Sequence, residues 1–296
     1  MLRPRFLDFA HFVRFARNDR DVNPLLWSTV TCEKGEAVAK EHVHGVFESI
    51  ADGYDAANDR ISLGMHRFWK RALCDAALKP CTNAKRAGLV LDVCCGTGDI
   101  TAMLAEDNPD VLVCGLDFSA HMLDVARERT KGLPNVMLIE GNAMQLPFDD
   151  DTFDSAVISF GLRNTPDYEQ VVSEMVRVTR PGGCVACLDA SVPESTIIQP
   201  FYQFYYKNIM TLFGGGISHR KEYDWLYEST QEFLRKDELV RLFEDCGLIS
   251  ACARPFMFGA AALHTGVKPL FSVPLTSAVA DAVKKAACAR DDASNA

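Results

Sequence analysis

The sequence predicts an α/β fold in which a parallel sheet is doubly wound, with helices on both faces. Three observations carry that expectation. From residue 89 onwards, short apolar runs alternate with helical stretches, the order of a doubly wound sheet. Runs such as Val111-Leu-Val-Cys-Gly-Leu116 are apolar throughout, as strands buried on both faces are. A glycine loop, Gly96-Thr97-Gly98, joins the first such run to the helix after it, where sheets of this kind receive a ligand.

Taken in order, residues 1–40 form an N-terminal extension. Leu2, Phe6, Phe9, Val13 and Ala16 recur at helical spacing, with Arg3, Arg14 and Arg17 towards the other side. Two readings stay open there: a helix lying on an anionic membrane surface, or an extension that is packed on its own domain or partly disordered. The second is favoured, because Arg5, Phe12 and Phe15 cross the division. Residues 41–78 read as helical and contain Met65-His66-Arg67-Phe68-Trp69-Lys70-Arg71. Strands are expected at Leu89–Val93, Val111–Leu116, Val136–Ile139, Phe153–Phe160 and Cys184–Ala190. Between them lie helices at Asp99–Ala105, Ser119–Arg129 with Ser119 as N-cap, and Asp167–Val178, the last stopped by Pro181-Gly182-Gly183. An aromatic insertion, 196–213, follows the fifth strand and is broken by Gly214-Gly215-Gly216. An amphipathic helix, Lys236–Cys246, ends at Gly247, and strand-like runs follow at 249–258 and 260–264. One domain over 41–270, with a frayed polar tail at 271–296, is the simplest account.

Composition narrows the function. A net charge of −9 argues against a broad nucleic-acid surface, which needs a basic face. The 11 cysteines are an odd number, several sit in apolar runs, and no signal peptide opens the chain, so reduced thiols in the cytoplasm are expected. Cys184-Val-Ala-Cys187 has redox or zinc spacing but falls inside a strand, without a second such pair, so core packing is expected and no metal site. No run reaches the roughly 18 apolar residues of a spanning helix.

The chemistry concentrates in Leu91-Asp92-Val93-Cys94-Cys95-Gly96-Thr97-Gly98-Asp99. A glycine loop there lets the backbone approach a ligand, and the helix start supplies donors. Dinucleotide enzymes use the same place but need a third glycine for close helix–strand packing, and this chain has Thr101 there. A phosphate-loop Gly-Lys-Ser/Thr is also absent. Asp117 ends the second strand about 20 residues on, where a carboxylate accepts both ribose hydroxyls of a nucleoside. Gly141-Asn142-Ala143 ends the third strand, placed to meet an adenine edge. Each has a plain alternative, Asp117 as a cap and Asn142 as a turn residue. Their coincidence at the carboxyl ends of successive strands favours a ligand site. A nucleoside site without a pyrophosphate device suits S-adenosylmethionine.

With these residues in place, the chain resembles the ubiquinone/menaquinone biosynthesis C-methyltransferase family. The resemblance rests on the glycine motif, Asn142-Ala143 with Leu146-Pro147-Phe148, Phe153-Asp154, and Ile158-Ser159-Phe160-Gly161-Leu162-Arg163-Asn164. It extends to Tyr54-Asp55, Asn58-Asp59 and His66-Arg67-Phe68-Trp69-Lys70, then through Arg180-Pro-Gly-Gly and Tyr223-Asp-Trp-Leu to Ala262-Leu263-His264, about residues 45–270. It implies a seven-stranded class I methyltransferase sheet with the last strand antiparallel. Thr101, Asp117, Asn142, Ala143 and Ser159 are its implied cofactor contacts, beside Gly96 and Gly98 of the loop. The implied reaction is methylation of a ring carbon of a polyprenylated quinol, and the glycine motif is closer to the menaquinone branch than to the ubiquinone one. The family's frequent dimerisation comes as an expectation with it, and peripheral contact with the inner face of a membrane is an expectation for this chain beside it. Two departures stand out. Cys94 replaces the first loop glycine, and the family's Glu-Phe-Ser-Lys-Pro after the fifth strand is here Asp189-Ala190-Ser191-Val192-Pro193.

The implied chemistry sets a requirement. A quinol hydroxyl with a pKa of about 10 is ionised about one part in a thousand at pH 7, a deficit of about 4 kcal/mol. A general base or a fixed cation can supply that, and alignment of carbon with methyl group is worth ~7–11 kcal/mol more. Arg163 and Asn164 are expected to orient the quinol and stabilise its phenolate, Arg163 as a fixed charge or through water. The plain alternative for Arg163 is a structural pair with a carboxylate such as Asp167. His66 is a second candidate base, though packing beside Trp69 is favoured for it, and Phe201–Phe213 is either a tail channel or lid packing. Other readings stay in view: a methyltransferase acting on a different acceptor, a cofactor-binding scaffold subunit, and last a dehydrogenase.

Overall fold

The computed structural model describes residues 64–81, 88–195, 198–204 and 229–271. The N-terminal extension, the Tyr54-Asp55 and Asn58-Asp59 strings, most of the aromatic insertion and the tail lie outside the described residues. Within them, the helices are α1 (His66–Leu78), α2 (Asp99–Asp107), α3 (Ala120–Arg129), α4 (Tyr168–Val178), α5 (Gln199–Phe204) and α6 (Lys236–Asp245). The strands are β1 (Gly88–Val93), β2 (Val111–Asp117), β3 (Val136–Glu140), β4 (Phe153–Ser159), β5 (Thr179–Ala190), β6 (Ile249–Phe256) and β7 (Ala261–Val267).

The strands form one seven-stranded sheet in the order β3-β2-β1-β4-β5-β7-β6. All pairings from β3 to β5 are parallel, whereas β7 is antiparallel to both of its neighbours. The chain therefore reverses its winding between β1 and β4, and a crevice opens at their carboxyl ends. Leu91, Val93, Leu116 and Ile158 face α4 and α6 through Val171, Met175 and Phe243. Val90, Val113, Val157 and Leu188 face α1 and α2 through Leu73, Ala77 and Leu104. Cys187 joins the first layer and Cys184 the second, so the C-x-x-C pair looks out on opposite faces of β5. All cysteines of the described residues are free.

Caps and turns place the helices. Ser119 accepts a hydrogen bond from the Met122 N–H at 3.3 Å, and Asp167 caps α4 through the Gln170 N–H at 2.9 Å. α4 stops one turn before Pro181-Gly182-Gly183. Thr179 already has extended geometry and its hydroxyl donates to the Met175 carbonyl at 2.6 Å. The Pro-Gly-Gly segment is instead an irregularity within β5, where pairing to β4 jumps from Phe153↔Thr179 to Ser155↔Cys184.

α1 runs along the sheet with its end at the amino edge: a Cβ on Gly88 would lie 2.6 Å from that of Cys81. Its start therefore lies at the carboxyl edge, where Trp69 stacks on Phe256 at 5.9 Å. There the Lys70 ammonium, itself buried, pairs with Asp99 in the first turn of α2. Helix and glycine loop are thus tied side by side.

Candidate active site

Tight backbone geometry shapes the floor of the crevice. Cys94, Gly96 and Gly98 all have left-handed φ, at 54°, 53° and 77°. A Cβ on Gly96 would meet nothing within 4 Å, so the backbone there borders open space from which a ligand can approach it closely. Gly98 faces inward instead, where a Cβ would sit 2.8 Å from that of Ala126, so it brings α2 and α3 together.

The third-glycine position is resolved differently from a dinucleotide site. Thr101 is fully buried and its hydroxyl donates to Asp92 at 2.6 Å. Room for it comes from Gly115 on the neighbouring strand, whose Cβ would lie 2.8 Å from the Thr101 oxygen and 3.0 Å from Cys95 Sγ. The space-making glycine has moved from the helix to the strand. Thr101 thus sits beneath the loop and anchors it. Asp92 is almost wholly buried, and its second oxygen finds no hydrogen-bond partner among the described residues. Burial, with Asp117 and Asp99 nearby, pushes its carboxyl up to about 7 against the opposing Thr101 hydrogen bond.

Asp117 ends β2 with its carboxylate turned back over the loop. It accepts from the Gly96 N–H at 2.8 Å and the Ser119 N–H at 2.9 Å. Burial raises its pKa while these hydrogen bonds lower it. The Phe118 N–H bonds to it as well, so of a carboxylate's roughly four lone-pair sites about one remains for a ribose hydroxyl. Asn142 does the work of a turn, accepting from the Met144 N–H at 3.0 Å, and Ala143 is buried beside it. Ser159 ends β4 with its hydroxyl buried and without a partner among the described residues. The open space at Gly96, the spare capacity of Asp117 and the orphaned Ser159 oxygen fit a nucleoside-bearing ligand lying across β1, β2 and β4.

The loop after β4 carries the other half. Phe160 has a left-handed φ of 54°, and a Cβ on Gly161 would sit 2.8 Å from Cys94, so the β4 and β1 loops touch. Leu162–Asn164 then form a 3-10 turn. Arg163 is buried and its guanidinium pairs with Asp189 at the end of β5, not with Asp167, which caps α4. Arg163 also donates to the Phe160 carbonyl at 3.1 Å, as does the Asn164 amide at 3.2 Å. The Asn164 carbonyl oxygen is buried without a partner among the described residues. Asp189, named from the sequence only as a departure from the family's Glu, takes the Ala190 N–H at 2.8 Å as well. Tyr168 sits close by, its phenol pushed up by burial and by Asp189 and Glu232. His66 is buried at the start of α1.

Other strings of the resemblance hold the frame. Asp154 accepts from the Leu89 N–H at 2.8 Å and from Arg180 at 3.3 Å. Leu146-Pro147-Phe148 is clamped by α4: Glu174 takes the Leu146 N–H at 2.7 Å, and Arg177 donates to the Leu146 and Phe148 carbonyls at 2.9 and 2.7 Å.

The seven-stranded sheet with β7 reversed, and the glycine loop over its switch point, define a class I methyltransferase that takes S-adenosylmethionine as methyl donor. The fold matches a solved methyltransferase from Thermotoga maritima, described as a possible histamine N-methyltransferase, with a TM-score of 0.52 at 19% identity. That alignment covers 77% of this chain and 100% of the other. The CurJ carbon methyltransferase aligns with a TM-score of 0.51 at 15% identity, over 71% of this chain and 55% of that one. The sequence profile of the ubiE/COQ5 methyltransferase family matches residues 35–268, and the chain belongs to that family. A demethylmenaquinone methyltransferase of Bacillus cytotoxicus is 48% identical over 235 residues, 78% of this chain and 97% of that protein. One from Staphylococcus aureus is 45% identical over 232 residues, 77% and 94% respectively.

Proposed function

We propose that this enzyme methylates a ring carbon of demethylmenaquinol, a polyprenylated naphthoquinol, and so completes menaquinol. The observation that carries the reading is the buried Arg163–Asp189 pair at the crevice, on the loop shared with a family whose relatives at 45–48% identity are named demethylmenaquinone methyltransferases. When bound, S-adenosylmethionine supplies an electrophilic methyl group on a sulfonium. Asp117 would hold the ribose, Asn142 and Ala143 would flank the adenine, and Gly96 and Ser159 would border the remainder, with Gly98 shaping the loop from behind. Thr101 contributes from beneath, through Asp92.

The protein's own task is the nucleophile. Arg163 cannot surrender its proton at neutral pH, so it acts as a fixed cation beside the acceptor hydroxyl. A phenolate at that position is favoured by the charge, and the ring carbon gains the electron density released. Asn164, with its unsatisfied carbonyl, accepts the hydrogen bond of the second hydroxyl and sets the ring's angle. Asp189 fixes the guanidinium, so little rearrangement accompanies the charge shift. The acceptor's prenyl chain belongs in a bilayer, so the enzyme works at a membrane surface, and no helix of the described residues is long and apolar enough to cross one.

The test is incubation with labelled S-adenosylmethionine and short-tailed demethylmenaquinol, followed by mass analysis of the extracted quinol. A product heavier by one methyl group on carbon supports the reading. Methylation only of a benzoquinol analogue would move it to the ubiquinone branch, and no methylated quinol from either ring would overturn it.

A further inference from the structure

We propose that the carboxyl edge of the sheet docks on an anionic lipid bilayer, through an aromatic and basic rim built by the start of α1 and the β6–β7 tip. The proposal rests on the quinol reading for its purpose, but its physical signs are independent. β6 runs parallel to β5 and β7 antiparallel to it, so the connection Met257–Ala260 emerges at the same edge as the glycine loop and Arg163. The start of α1 lies at that edge too, because Lys70 meets Asp99 there.

At this edge the protein exposes what it buries elsewhere. Phe258 is 80% exposed and Phe68 62%, with Met65 one helical turn before Phe68 and also exposed. Phe256 joins the two halves. Its ring meets Phe68 edge-on at 6.2 Å and stacks on Trp69 at 5.9 Å, while the Arg254 guanidinium lies 5.2 Å from its centre. The start of α1 and the end of β6 are therefore packed together at this edge, with Phe258 two residues beyond Phe256. Met257 and Phe258 hold left-handed φ values of 44° and 57°, a conformation that bulky side chains resist and that turns the Phe258 ring away from the core. A protein seldom maintains such strain to present a large ring to water alone.

Charge selects the occupant. Arg67 and Arg254 are both exposed on this rim, in a chain whose net charge is −9. Basic side chains flanking aromatic rings fit phosphate headgroups above an acyl boundary, where such rings settle. Leu270 and Phe271 are also exposed, but they follow β7 at the opposite edge and cannot share a plane with this rim. Docking here sets the crevice against the bilayer, so a quinol head can rise into it while the prenyl chain stays in lipid.

The experiment is co-sedimentation of the full chain with vesicles of phosphatidylglycerol and phosphatidylcholine, against pure phosphatidylcholine. Wild type is expected to favour the anionic vesicles and to release with salt. Phe68→Ser with Phe258→Ser should weaken partitioning about ten-fold or more. Arg67→Gln with Arg254→Gln should abolish the anionic preference. Cofactor affinity and turnover of a short-tailed quinol should stay unchanged in both variants, while turnover of a long-tailed quinol in vesicles falls in step with binding. Unchanged partitioning, in wild type without vesicle affinity or in the aromatic variant with full affinity, overturns the proposal. So does a change of oligomeric state in the aromatic variant with vesicle binding intact, which assigns the rim to a second copy. Loss of short-tailed turnover places the rings in the acceptor site and also overturns it. The Phe258→Ser single variant, confined to the tip, serves if the double variant fails to fold. Failure of the quinol reading shows separately, as wild type that binds vesicles but methylates no quinol.

Discussion

Asp189→Ala separates what Arg163 does for the fold from the role we propose for it in the reaction. The two side chains are 1% and 5% exposed, so neither charge has water to fall back on. Asp189 also takes the Ala190 N–H at 2.8 Å and the Arg163 N–H at 3.3 Å. Removing the carboxylate leaves a buried guanidinium uncompensated, which costs about 3–5 kcal/mol. A domain has about 5–15 kcal/mol in all, so a large part of its stability is at stake. Arg163→Ala strands the carboxylate instead and should cost a similar amount. Replacing both, Arg163→Met with Asp189→Leu, removes the desolvation problem and should recover most of the loss, because apolar side chains of similar size substitute well for a buried pair. Turnover should not recover. Loss of a fixed cation beside a developing phenolate is worth about 10²–10³ in kcat. Urea denaturation gives the stabilities, calorimetry the cofactor Kd, and methyl transfer to short-tailed demethylmenaquinol at saturating cofactor the kcat. A stable double variant with normal kcat would show that the ion pair is a structural strut and refute the catalytic assignment. A double variant with weakened cofactor binding would move Arg163 to the cofactor side.

Three further outcomes follow from the crevice. Asp117→Asn keeps the shape but puts a donor against N–H groups and weakens the grip on the ribose, so cofactor Kd should rise about 100-fold, or about 3 kcal/mol, by calorimetry. Gly115→Ala forces a Cβ to within 2.8 Å of the Thr101 oxygen and of Leu138, so it should cost about 1–3 kcal/mol in a melt and loosen cofactor binding through the displaced loop. Asp92 carries a pH signature. Its folded carboxyl titrates near 7 against an ordinary value of 3.8, so the folded chain keeps a proton that the unfolded chain has released. The Asp92 contribution to stability should therefore be fullest below about pH 4 and fall as pH rises towards 7, by up to about 1.4 kcal/mol per pH unit. Asp92→Asn should remove that slope, and a constant difference between variant and wild type across this range would contradict the buried titration.

Much of the frame was legible because its signals are local. Continuously apolar runs reveal doubly covered strands, and Ser119 and Asp167 announce their helix starts through cap chemistry. The strand-end position of Asp117 was legible for a similar reason, and the structure shows its carboxylate accepting from the Gly96 and Ser119 N–H groups. Pro181-Gly182-Gly183 misled as a helix stop because composition shows that a chain must bend, not which element bends. Its place within β5 depends on how far the β4 ladder extends, a pairing between segments that no local pattern records. Asp189 was hidden for the same reason: at the end of an apolar strand it has no sequence neighbour of opposite charge. Its partner is 26 positions away, across β4 and β5.

Thr101 shows how a correct reading can rest on incomplete physics. Its side chain argues against a dinucleotide fingerprint because a third glycine lets helix and strand approach closely. Close approach is nonetheless present here. Gly115 supplies the missing volume from the strand side, and the freed space holds a hydroxyl that bonds to a buried carboxylate. The requirement belongs to the contact between α2 and β2 and not to either position, so either partner can satisfy it. Gly115 alone would read as a weak point in a strand, and Thr101 alone as an ordinary helix residue. Only the pair explains why Asp92 can be buried under the loop. A site of this kind is thus read from volume shared across a contact, and a motif scan along one segment records half of it.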